Sequence, residues 1–104
     1  MRMCLKVEIP VEVGNALVKS GKLGEVITSI LKEQKPESAY FIAMNGKRTG
    51  LIFLNLKEES QIPAIAEPWF LALKANVDLY PAMISEDLAK AGTAIETAAK
   101  KYGK

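Results

Sequence analysis

An α+β fold of order β-α-β-β-α-β-α is predicted by three features of the 104-residue sequence. Apolar and polar residues alternate at its start, two apolar runs meet at Asn45-Gly46, and longer segments carry apolar residues at helical spacing. Together they describe one α+β domain, with strands and helices interleaved along its whole length.

Met3, Leu5, Val7 and Ile9 alternate with Cys4, Lys6 and Glu8, the period of a strand with one face on a core, and Pro10 ends it. From about residue 13 to residue 34 the apolar positions Val13, Ala16, Leu17, Leu23, Val26, Ile27, Ile30 and Leu31 form a helical stripe. Gly14, Gly21 and Gly24 weaken it by up to about 1 kcal/mol each relative to alanine, which predicts a break near Ser20 to Lys22. Pro36 closes the segment.

SAYFIAMNGKRTGLIFLNL predicts a β-hairpin, because Asn-Gly readily supplies the two positive φ angles of a type I′ turn. Both runs are apolar on both faces: Tyr40, Ile42 and Met44 against Ala39, Phe41 and Ala43, then Leu51 and Phe53 against Ile52, Leu54 and Leu56. In QIPAIAEPWFLAL the stripe Ile62, Ile65, Ala66, Trp69, Phe70 and Leu73 predicts a helix capped by Ser60. Pro68 removes the amide that would bond the Ala64 carbonyl and so predicts a kink, with Trp69 and Phe70 anchoring the helix in the core. Either the kink only wraps the helix around a curved sheet, or the freed carbonyl and the indole border a pocket mouth. ANVDLYPAM returns to strand alternation. A last helical region of about residues 85 to 102 follows, capped first by Ser85 and restarting after Gly92 with Thr93 and Glu96 at capping-box spacing.

With a right-handed first crossover, this order gives the ferredoxin-like sandwich plus a C-terminal helix: a four-stranded antiparallel sheet in spatial order 4-1-3-2, helices on one face. A doubly apolar hairpin then requires a second cover. A second copy of the same sheet is the simplest one.

Composition narrows the chemistry. The chain contains no histidine, which excludes a Ser-His triad, histidine-ligated zinc or haem, and an imidazole proton shuttle. Its single cysteine, Cys4, excludes an internal disulfide and a cysteine-based zinc site, and with no signal peptide evident it points to the cytoplasm. A net charge of +2 with interleaved signs argues against a nucleic-acid partner. No apolar run approaches the roughly 20 residues of a membrane span. Phosphate loops, dinucleotide glycine motifs and metal-ligand spacings are absent, and Glu58-Glu59 and Glu86-Asp87 sit at helix starts where the dipole accounts for them. KRTGLIFL has Thr49 and Leu51 where an RNA-recognition strand needs stacking aromatics, and PVEVGNAL is not an acylphosphatase loop. No cofactor or metal is expected, and no catalytic residue is assigned.

AYFIAMNGKRTGLIFLNL, QIPAIAEPWF and VDLYPAMISEDLAKAG resemble small bacterial proteins of the dimeric α/β-barrel superfamily, in which two ferredoxin-like sheets pack into one barrel. The resemblance implies a homodimer. That superfamily includes muconolactone-isomerase-like enzymes, cofactor-independent monooxygenases, haem-degrading enzymes and amino-acid-sensing domains, so it selects no activity.

Pairing of the first and fourth strands places Lys6 and Glu8 near Asp78 and Tyr80, with Asn55 contributed by the third. This polar group is either a paired interface cluster or the polar equipment of a ligand pocket between sheet and helices, with Tyr40, Phe53 and Trp69 as apolar lining. A small apolar or aromatic ligand is the expected partner. Cys4 lies one step from Lys6, whose ammonium would lower its pKa; the alternative is a small buried hydrophobe. Two functional classes follow: a small-molecule-binding protein or cofactor-independent enzyme, and a non-catalytic homodimeric assembly or regulatory module.

Overall fold

The computed structural model describes residues 1–104. The order is β1 (Arg2–Ile9), α1 (Val11–Lys19), α2 (Leu23–Gln34), β2 (Ser38–Met44), β3 (Lys47–Asn55), α3 (Ile62–Leu73) after a 3-10 turn (Glu59–Gln61), β4 (Asn76–Pro81), α4 (Ser85–Lys90) and α5 (Gly92–Tyr102). The four strands form one antiparallel sheet in the order β2-β3-β1-β4, the ferredoxin-like arrangement. No helix is long and apolar enough to cross a membrane.

Alternation in β1 sorts its side chains cleanly. Met3, Leu5, Val7 and Ile9 are 0 to 5% exposed, while the residues between them are half-buried on the other face. Ile52 and Leu54 of β3, Ile30 of α2, and Trp69 and Leu73 of α3 complete the core on the helix side. Asn45 and Gly46 take φ of 55° and 73°, so the hairpin turns as the dipeptide predicts. Gly21, at φ 72°, lies in the break between α1 and α2, and α2 stops at Gln34 before Pro36.

Local differences have physical causes. Phe70 is 43% exposed, because buried Ala66, Trp69 and Leu73 with half-buried Ile62 and Ile65 already fill the stripe facing the sheet. Ser60 is not a cap: its hydroxyl donates to Glu58, while the Gln61 side-chain oxygen accepts the amides of Lys57 and Glu58 at 2.8 and 3.1 Å. Ser85 is the first residue of α4 rather than its cap, and Asp87 accepts the Ile84 amide at 3.0 Å. Thr93 lies inside α5 instead of capping it.

The C-terminal helices do not cover the sheet. None of the residues of α5 is buried, and the molecule measures 58 × 29 × 20 Å. Its radius of gyration of 17.3 Å exceeds the roughly 13 Å of a compact domain this long. The α4–α5 segment projects from the body as an arm.

Candidate functional site

One face of the sheet is open to solvent, and register fixes what it presents. Cys4 is opposite Phe53 and Tyr80, Lys6 opposite Leu51 and Asp78, and Glu8 opposite Thr49 and Asn76. Tyr40 continues the row through Leu51, and Ile42 through Thr49. Cross-strand partners share a face, so Tyr40, Ile42, Leu51 and Phe53 on β2 and β3, with Tyr80 on β4, form an apolar surface beside the polar group of Lys6, Glu8 and Asp78 on β1 and β4. Tyr40, Ile42 and Tyr80 are 58, 41 and 51% exposed. Tyr40 and Phe53 meet edge to face, with centroids 6.3 Å apart.

Seven of the eight residues proposed from the sequence occupy this face. Trp69 does not. Its ring is fully buried on the helix side, where the indole N–H donates to the Gln34 side-chain oxygen at 3.2 Å and the Gln34 amide donates to the Ile65 carbonyl at 2.8 Å. Gln34 thereby satisfies a backbone oxygen in the turn that Pro68 disturbs. Ala64 borders an open depression next to Gln34, Asn55 and Gln61, but the indole is sealed away from it. Asn55 is at the end of the open face, and its side-chain oxygen accepts the Met1 ammonium at 2.8 Å.

The ion pairing differs from the simplest expectation. Glu8 engages neither Lys6 nor Asp78: it accepts from Lys47 and from Asn76, each at 3.3 Å. Lys47 lies on the same face two residues before Thr49, so it reaches Glu8 across that threonine. Lys6 and Asp78 face each other without an ion pair, which leaves both able to bond a ligand or a partner.

The Asn76 and Lys47 bonds hold the Glu8 carboxyl below its ordinary value of 4.5. A carboxylate whose folded pKa is depressed stabilises the fold fully above its unfolded pKa. That contribution disappears as pH falls through and below the ordinary value. Between about pH 7 and about pH 3 the melting temperature of Glu8→Gln should therefore fall less than that of the unsubstituted protein, as read by circular dichroism. Parallel curves would contradict the assignment.

Burial pushes the Cys4 thiol up, opposite to the effect expected of a neighbouring ammonium. Desolvation at its half-buried strand position is the cause, and Cys4 rests as the neutral thiol rather than a nucleophilic thiolate.

A cavity of about 320 Å³ does lie between helices and sheet, at the hairpin end, but other residues line it: Ile9, Leu23, Ile27, Phe41, Ala43 and Arg48, with Ile42 and Thr49 at the strand edge. One sequence signal pointed there. Arg48 shares the period of Gly50, Ile52 and Leu54, so a charge stands in the core-facing phase of β3.

No protein-family model and no curated protein sequence matches the chain. Among solved structures it is similar to a formyltetrahydrofolate deformylase from Pseudomonas putida KT2440, at 15% identity and a TM-score of 0.48, over 79% of this chain and 29% of that one. This chain spans less than a third of that enzyme's length, and at this similarity the likeness bears on neither substrate nor partner.

Proposed function

We propose that the protein is a homodimeric small-molecule-binding protein of the dimeric α/β-barrel type, in which a second copy packs on the open sheet face. The observation that carries this reading is the uncovered apolar surface of Tyr40, Ile42, Leu51, Phe53 and Tyr80, from which the C-terminal arm stays away. Only 15 of 104 residues are buried, so a single copy leaves much of its apolar content in water. At about 4.8 Å per strand and about 3.3 Å per residue, the face measures roughly 500 Å² in projection. That is most of the roughly 800 Å² per partner in a standard interface.

Between two such sheets Lys6 and Asp78 lose water, and charges there require partners. A small apolar or aromatic ligand with one polar group satisfies them, resting on Tyr40, Phe53 and Tyr80.

Thermal-shift screening of small aromatic probes against the unsubstituted protein, Lys6→Met and Asp78→Asn tests this. The expected result is a probe that raises the melting temperature of the dimer and loses that effect in both variants. If no probe does so and the substitutions only move the monomer–dimer equilibrium, the facing Lys6 and Asp78 set the register of an assembly module instead.

A further inference from the structure

We infer that the cavity at the hairpin end of the sheet binds a small organic anion, its apolar body seated against Phe41 and Ile27 and its carboxylate held by Arg48. Most of its lining is on the helix-covered side of the sheet, with Ile42 and Thr49 at the strand edge, so the hollow and the guanidinium are present in a single copy.

Arg48 is opposite Ile9, a residue 2% exposed, and therefore stands on the core-facing side of β3. Its guanidinium lies across α1 where Gly14 leaves room. A Cβ on Gly14 would come within 2.6 Å of Arg48 Nη1 and 3.3 Å of Cδ. Glycine weakens a helix, and here its missing side chain is the space the arginine occupies. Arg48 Nη1 donates to Asn15 Oδ1 at 3.1 Å, which uses one of the five N–H donors of a guanidinium. No carboxylate lies within 4.0 Å of it. Arg2, by contrast, is gripped by both oxygens of Glu37 at 2.9 to 3.2 Å. The Arg48 charge is thus steered by a neutral amide and left without a counter-ion at the edge of an apolar hollow.

The hollow itself is built by the sequence. Phe41 faces the helix side, opposite Gly50, and an added Gly50 Cβ would come within 3.0 Å of its ring. The ring rests on a glycine, yet it is 49% exposed because the helices leave the end of edge strand β2 uncovered. Leu23 and Ile27, in the first turns of α2, form the opposite wall. Because Leu23 opens α2, the positive end of that helix dipole is at the same cavity. At about 320 Å³ the volume is at the lower end of ligand pockets. It suits one aromatic ring or a short branched chain.

The recognising chemistry is an apolar body for the hollow plus a planar anion for the guanidinium fork. Titrating 3-phenylpropionate and its neutral amide into the full chain, followed by amide NMR shifts, tests the assignment. The carboxylate is expected to bind about tenfold or more tightly than the amide. Shifts should centre on residues 23–27, 41–43 and 48, and Arg48→Gln should bring the carboxylate down to the affinity of the amide. Ile27→Trp, which fills the hollow, should abolish binding of both, while Lys6→Met, on the other face, should change neither. Equal affinities for the two probes, an unchanged affinity in Arg48→Gln, or no saturable binding of the carboxylate at concentrations above about 1 mM would each overturn it.

Discussion

Replacing Trp69 with alanine should destabilise the protein by about 3–5 kcal/mol, the range for deleting a large aromatic from a packed core. A domain of this size has roughly 5–15 kcal/mol in total, so the variant should sit near the edge of folding. The indole is completely buried between α3 and the sheet, and its loss also leaves the Gln34 oxygen without the donor it now accepts. Gln34 in turn bonds the Ile65 carbonyl, so one truncation opens a cavity and loosens the Pro68-containing helix where α2 braces it. Urea denaturation followed by far-ultraviolet circular dichroism measures the change. A loss below about 1 kcal/mol would mean that the ring is not part of the core.

Leu51→Arg should leave the protomer folded and separate the dimer. Leu51 is at the middle of the open face, between Lys6 and Tyr40, and half-buried in a single copy. An arginine there can reach water in the monomer. Against a second sheet it becomes a buried unpaired charge beside Lys6, a situation that costs about 3–5 kcal/mol. The dissociation constant should rise by about two to four orders of magnitude. Size-exclusion chromatography with light scattering, alongside a circular dichroism spectrum, reads both effects. A dimer of unchanged affinity would move the interface elsewhere.

How much of this was legible in the chain depended on whether a signal was local. Asn45-Gly46 and the β1 alternation each specify geometry through the residues themselves, and both appear in the structure. The break between α1 and α2 was legible for the same reason, since glycine weakens a helix wherever it stands. Helix caps were less so. Whether Ser60 or Gln61 bonds the free amides depends on a 3-10 turn that no single residue announces. The polar face emerged from strand order alone, which correctly made Lys6 and Asp78 neighbours. It could not show that Glu8 turns to Lys47, because that bond depends on the reach of a side chain from the hairpin. Trp69 and the strand aromatics looked equivalent as apolar lining, yet they belong to opposite sides of the sheet. Arg48 was the missed clue: a charge in the core-facing phase of an apolar strand has to be explained by space or by a partner, and Gly14 supplies the space.

Sedimentation equilibrium across a wide concentration range tests the packing of two copies on the open face most directly. A mass twice the 11.4 kDa of the chain, persisting into the micromolar range typical of stable complexes and lost in Leu51→Arg, is the expected result. A mass of one chain at the highest concentrations reached would contradict it and leave Tyr40, Ile42, Phe53 and Tyr80 as the surface of a monomer.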